Sequence, residues 1–415
     1  MWKTLKLSLA MVFVALVVAF GSVLGYALGE DNGGGSGGNV NNGSSSGAEF
    51  GILDEIADIL REDFVTPEAV TDEALQQGSI QGIIDAMGDP HTVYIPPDLY
   101  QNGLDLITGT FEGIGATVDQ DPTTGLITIV TPFRDSPAEK AGILPGDVII
   151  AVDGESTEGW TVNEAVGRIR GADGTTVTLT IRHPGDQDTQ DVPIIRGTIV
   201  VPTVFVEDVK GEDGEVISDL AYIEIQQFTD QTVGDMQNAL RDVSEGGYKG
   251  LILDLRRNPG GGLDATVNVA DMFIDSGVIL TQVDREGGEI VYNAQEGGEA
   301  IDIPIVILVS AGSASGSEVL AGALRDHGRA KLIGEQTFGK GSVNHLRELS
   351  NGGALYVTIA RWLTPNGELI EGVGLTPDQV VETTEDELTT GAGPQLFAAI
   401  DLLEQELAAQ AAAAP

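Results

Sequence analysis

Cysteine is absent from the 415 residues. That excludes disulfides, thiolate metal sites, cysteine nucleophiles and a lipid carried on an N-terminal cysteine. Histidine is nearly absent as well, with only His91, His183, His327 and His345. A multi-histidine metal centre is therefore not expected, and nothing in the composition asks for a metal or a cofactor. Positive charge is scarce: 21 Lys and Arg stand against 64 Asp and Glu, a net charge of −43. So acidic a chain repels phosphate backbones and anionic headgroups, which argues against nucleic acid as a partner and against adhesion through a basic face. The excess acid reads as a solubility device or the mark of a salty habitat. With 41% apolar and 20% charged residues the chain is globular in composition, and its length leaves room for about two to four domains.

One long apolar run stands apart. Lys3 and Lys6 precede Leu7–Gly29, 23 residues without a charge. As a helix this run would span about 34 Å, against roughly 30 Å of hydrocarbon. The lysines predict a cytoplasmic N-terminus and export of the remainder. Ala27, Leu28 and Gly29 also suit signal-peptide cleavage, so residues 1–29 read as a membrane anchor or a signal peptide. The working part is then extracytoplasmic, in the cell envelope or secreted. Residues 30–47 read as a linker, since Asn32–Gly47 holds seven Gly, four Asn and four Ser. Such a stretch has too little apolar surface to fold.

Four segments follow. Residues 48–108 are helical in pattern, with Leu53, Ile56, Ile59 and Leu60, then Ile80, Ile83, Ile84 and Met87, recurring at helical spacing. They close on the turn Gly88-Asp89-Pro90-His91-Thr92, where His91 reads as a turn or packing residue. Residues 109–198 alternate short β-rich runs with Gly, Pro and Asp turns, and one helical run, Val162–Ile169, lies among them. Residues 199–381 alternate apolar strands (220–225, 251–255, 303–310, 355–359) with helical patterns at 233–243 and 263–273, which predicts an α/β layered core. Residues 382–415 form an acidic tail with a Leu- and Ala-rich helix of no evident purpose.

Four glycine-bearing stretches carry candidate chemistry. Gly113-Ile114-Gly115-Ala116 precedes a strand, where converging backbone N–H groups suit a peptide carboxylate. Asp254–Gly262 follows a strand and turns on three glycines, able to stabilise an oxyanion or simply to reverse the chain. Ser310–Glu318 joins a strand to a helix through Ser313, Ser315 and Ser317. Such an elbow presents a hydroxyl at a helix N-terminus, although a serine there also caps a helix with no chemistry. Gly334–Ser342 nearly spells a phosphate-binding loop. Gly341 occupies the place of the magnesium-binding hydroxyl, and the loop lies far into the chain, so an NTPase is disfavoured. A serine activated by Lys340 fits the last three together, provided burial lowers the lysine from its ordinary pKa near 10.4 to ~7–8. A Ser–His–Asp triad using His327 or His345 is the competing class.

Ser136–Ile149, with its Ala-Gly-Ile-Leu-Pro-Gly-Asp run, resembles the central stretch of PDZ domains. Gly88–Tyr94, Leu253–Gly261, Gly312–Asp326, Gly339–Val343 and Thr364–Asp378 resemble, in order, the motifs of carboxyl-terminal processing (tail-specific) proteases of the PDZ-containing Ser–Lys kind. The resemblance spans about residues 50–381. It implies a serine endopeptidase with a PDZ domain at 109–198 and a crotonase-like α/β core at 199–381. It further implies Ser315 as nucleophile, Lys340 as base, and the N–H groups of Gly261 and Gly316 as oxyanion donors. The PDZ would hold the free C-terminus of exported or unfolded proteins through Gly113, Ile114, Gly115 and Ala116. Two positions depart from the family. Asn344 stands where a lysine-orienting Gln is usual, one methylene or ~1.5 Å shorter, and Gly316 stands where Ala is usual. The first keeps open a relative that binds tails without cutting; the second is expected to be mild. A homo-oligomer is left open.

Overall fold

The described residues begin with two helices, α1 (Gly51–Asp63) and α2 (Asp72–Met87). Thr71 starts α2 by accepting the Ala74 N–H, and Gly88 ends it in the left-handed region at φ 63°. Asp89 then accepts from the His91 N–H and the Thr92 hydroxyl, a tight turn into β1 (Val93–Ile95). This is a computed structural model, and it describes residues 50–97, 100, 110–121, 124–133, 136–384, 387 and 392–413. The apolar run 1–29 and the linker 30–47 lie outside the described residues. Among the described residues no helix is long and apolar enough to cross a membrane.

Two units make up the chain: residues up to 107 together with those from 203 onward, and residues 108–202. The smaller contains β2 (Thr110–Gly113), β3 (Ala116–Gln120), β4 (Ile127–Pro132), α3 (Pro137–Lys140), β5 (Val148–Val152), β6 (Glu155–Ser156), α4 (Val162–Ile169), β7 (Thr176–Arg182), β8 (Gln190–Ile195) and β9 (Gly197–Val200). Its main sheet runs β3-β4-β5-β7-β8, with β6 on β5, and β2 pairs with β9. Alternation along β7 sends Val177, Leu179 and Ile181 into a core shared with Ile127, Ile129, Ile149 and Ile194. Thr161 and Glu164 form a reciprocal cap at the start of α4.

The larger unit continues with β10 (Val204–Lys210), β11 (Val216–Ile225), α5 (Asp230–Gly246), β12 (Gly250–Asp254), α6 (Leu263–Asp271), β13 (Gly277–Asp284), β14 (Glu289–Ala294), β15 (Ile305–Val309), α7 (Gly316–Asp326), β16 (Ala330–Gly334), β17 (Ser342–Glu348), β18 (Ala354–Leu363), β19 (Gln379–Val380) and α8 (Pro394–Ala413). One sheet has the order β10-β11-β12-β15-β16-β19, parallel except for β10. Strands β12 and β15 are buried at every position, which their unbroken apolar runs require of a sheet covered on both faces. Leu253, Ile307 and Leu332 face one core with residues of α5, α6 and α7. Ile252, Val306, Leu308 and Ile333 face the other, and Leu396, Ala399, Ile400 and Leu403 of α8 close it. The tail helix thus has a purpose that its sequence hid. A second sheet has the order β1-β18-β13-β14, with β17 also on β18, so the turn at Asp89–Thr92 is held against the core.

Candidate active site

Three loops leave the carboxyl ends of neighbouring parallel strands β12, β15 and β16, where open α/β sheets place their sites. The first two interlock. Leu255 O accepts the Ser313 hydroxyl at 2.7 Å, and Asn258 O accepts Ala314 N–H at 3.1 Å and the Ser317 hydroxyl at 2.8 Å. Ser313 and Ser317 are therefore scaffolding, which leaves Ser315 at the elbow. Ser315 is 1% exposed and holds φ 53°, ψ −115°, a conformation that costs a residue with a Cβ. The glycine turn lies directly against it. A Cβ on Gly260 would sit 2.7 Å from Ser315 Cβ and 2.8 Å from Gly316 N; one on Gly261 would sit 2.0 Å from Phe228 O. Only glycine allows this approach.

The third loop is stapled to the elbow by one carboxylate. Glu318 Oε2 accepts Ser315 N–H at 2.8 Å and Lys340 N–H at 2.9 Å; Oε1 accepts Gly339 N–H at 2.7 Å and the Thr337 hydroxyl. Glu318 is wholly buried, and burial pushes its carboxyl up against the pull of these four donors. The Lys340 side chain is 1% exposed, with Nζ 5.6 Å from the ring centre of buried Tyr356. Burial pushes its ammonium down to about 7, while the charges of Glu371, Glu318 and Asp89 pull the other way. A lysine in that range is a base at neutral pH.

A further cluster borders the lysine. Glu371 Oε2 accepts Gly341 N–H at 2.9 Å, and Oε1 lies 3.2 Å from His91 Nε2. Burial opposes the Glu371 charge, but His91, Arg361 and that N–H hold its carboxyl below the usual range. Asn344 Nδ2 donates to His91 O at 2.9 Å and Thr358 Oγ1 at 3.0 Å, and its Oδ1 accepts the Ser342 hydroxyl at 2.9 Å. Both amide hydrogens are thus spent, and what Asn344 still offers is the second lone pair of Oδ1. In the smaller unit, Gly113, Ile114 and Gly115 are buried, and Gly115 has φ 74°. Ile114 O accepts Ala138 N–H and Gly115 O accepts Phe133 N–H, so the carbonyls of this turn are tied down. Arg170 lies beside it, stacked 4.8 Å over Phe111.

Residues 129–183 match the PDZ domain, and residues 219–381 match peptidase family S41. The carboxy-terminal-processing protease of Bartonella bacilliformis is 39% identical over 341 residues, 81% of this chain and 75% of that protein. The chain belongs to this family. Carboxy-terminal processing protease CtpA of Bacillus subtilis is 37% identical over 335 residues, 81% of this chain and 69% of its own length. A solved photosystem II D1 C-terminal processing protease is 29% identical at a TM-score of 0.46, covering 81% of this chain and 93% of its own.

In this serine-type peptidase, Glu318 joins the backbones of Ser315 and Lys340, and the Gly260–Gly261 turn lies against Ser315 and Gly316, while Gly113–Ala116 lie in the PDZ unit. His327 is committed elsewhere: its Nε2 meets Val278 O at 2.8 Å, and its ring fills the space above Gly277. The stretch 334–342 runs from β16 into the strand β17, whereas a phosphate loop needs a helix after its lysine. Glu318, Glu371 and His91 lie inside the stretches 312–326, 364–378 and 88–94 that resemble the family's motifs, but the sequence alone assigned none of them a role. His91 reads from sequence as a turn or packing residue. Only the pairing of β1 with β18 brings His91 beside the lysine loop.

Proposed function

We propose that this carboxy-terminal-processing protease cuts with Ser315 as nucleophile and Lys340 as general base. The observation that supports it best is a lysine with a pKa near 7, tied to the backbone of the serine elbow by one buried carboxylate. Neutral Lys340 takes the Ser315 hydroxyl proton as Oγ attacks the scissile carbonyl. The N–H groups of Gly261 and Gly316 receive the oxyanion, and the ammonium then protonates the leaving amine. Glu371, Glu318 and Asp89 stabilise that ammonium while it exists. Water repeats the sequence on the acyl-enzyme. Asn344, through Oδ1, helps orient the lysine. The PDZ turn Gly113–Ala116 holds the free carboxylate of an exported, unfolded tail, with Arg170 adding charge, and residues 1–29 deliver the enzyme to the cell envelope.

The test is incubation of the purified chain with an unfolded protein that ends in an apolar C-terminus. Fragments are expected from the parent and none from Ser315→Ala or Lys340→Ala, with tail binding retained in both. Saturable binding without fragments in the parent would instead identify a relative that holds tails without cutting. Cleavage surviving in Lys340→Ala but lost in a histidine variant would remove the lysine from its role.

A further inference from the structure

Residues 382–413 lie beyond the stretch matched to family S41, yet two of their side chains reach the loop that carries Gly261. Arg256, two residues past β12, is the joint. Asp254 grips its guanidinium on one side, with Nη2–Oδ2 at 2.7 Å and Nε–Oδ1 at 3.0 Å. On the other side Nη1 donates to Glu387 Oε1 at 2.7 Å and to Gln395 Oε1 at 3.3 Å. Glu387 is 2% exposed, and the same Oε1 accepts Gln395 N–H and Leu396 N–H in the first turn of α8. Gln395 Nε2 in turn donates to Val381 O at 2.8 Å. The main chain of Arg256 faces the elbow. Its carbonyl accepts the Ser310 hydroxyl and lies 2.7 Å from where a Cβ on Gly312 would stand. Two residues on, Asn258 receives Ala314 and Ser317. Side chain on the tail and main chain on the elbow make Arg256 a lever between them.

We propose that Glu387 and Gln395 are positioning residues: through Arg256 the C-terminal helix sets where the 256–261 turn stands, and so where the Gly261 N–H meets the reacting carbonyl. The inference rests on Gly261 as an oxyanion donor. A guanidinium holds its partners in a fixed fork, and a buried one that loses a carboxylate must move or draw in water. Oxyanion donors act over a few tenths of an ångström, and a misplacement of about 1 Å costs on the order of a hundredfold in rate.

The experiment uses the full chain as parent, Glu387→Ala, Gln395→Ala, and Leu407→Ala, which loosens α8 without touching Arg256. Melting temperature, kcat and KM on a quenched peptide, and Ki for a peptide boronate are measured. The boronate's tetrahedral adduct with the serine needs the oxyanion donors, whereas ground-state peptide binding does not. Glu387→Ala is expected to lose roughly ten- to a hundredfold in kcat with KM within about twofold, and to weaken the boronate by a matching factor. Gln395→Ala moves the same way by less, and Leu407→Ala lowers melting alone. Boronate affinity and kcat of the folded protein unchanged in both Glu387→Ala and Gln395→Ala overturn the proposal. So does a loss in Leu407→Ala equal to theirs. Ser315→Ala separates the two levels. If it still cleaves or binds boronate, the underlying reading fails and takes the proposal with it; if it does neither, failure of the tail variants counts against the lever alone.

Discussion

At Lys340 function and stability pull in opposite directions. The unfolded lysine keeps its proton to about 10.4, whereas the folded one releases it near 7. Between those values the unfolded chain binds more protons, so stability rises with pH across that window, and below it the full penalty stands. Lys340→Met is therefore expected to melt above the parent at pH 7, and the gap to close by pH 10; thermal melts at a series of pH values read this directly. Activity follows the same proton. With the neutral form as base, kcat/KM falls roughly tenfold per pH unit well below 7 and levels above it, which a pH–rate profile checks. Glu318 offers a second test. Two carboxylate oxygens serve four donors, and an amide in either orientation turns its NH2 toward an N–H of the elbow or of the lysine loop. Glu318→Gln is thus not conservative, and should cost about 1–3 kcal/mol in stability and on the order of a hundredfold in kcat, measured by denaturant melts and steady-state kinetics.

Elements explain what single residues leave open. The strand-to-helix elbow before α7 carries Gly316, and α6 shows why a side chain is crowded there. A Cβ there would stand 2.5 Å from Thr266 Oγ1, a buried hydroxyl bonded to Gly262 O, and 3.1 Å from Phe228. Gly316 and Thr266 are thus sterically coupled. Gly316→Ala alone should lower kcat by about tenfold, and adding Thr266→Ala should restore much of it; a double-mutant cycle gives the coupling. This scale also marks what the sequence could show. The glycine turn, the serine elbow and the lysine loop were legible because each follows an apolar strand and breaks its pattern with glycine. The tail helix was legible as a helix but not as the lid of one sheet face, since its Leu and Ala spread around it. His91 and Glu371 lay in motif-like stretches but without a role, because their partner lies far along the chain and only strand pairing decides which distant residues meet.

On the proposed function, reading and cutting fall to the two units of the chain. Gly115 cannot test the reading unit, because a Cβ there would overlap Ser136 and Ile199 at 2.6 and 2.9 Å and disturb the fold itself. Gly113 can, since the nearest atoms its Cβ would meet, on Phe111 and Arg170, stand at ordinary contact distances. Gly113→Asp is expected to cut cleavage of a tailed protein at least tenfold while leaving a small ester unaffected, because a like charge now faces the tail's carboxylate. Rates on both substrates with the same preparation decide it. The strand β1 has a consequence of another kind. Val93 pairs with Tyr356, so the stretch that carries Asp89 and His91 is completed only by a strand about 260 residues further on. The serine and lysine are made before that strand exists, and the histidine and aspartate beside β1 have nowhere to dock until it does. The cutting edge is therefore assembled only when that long loop closes, and a chain in which it has not closed carries the serine and the lysine without the groups that border them.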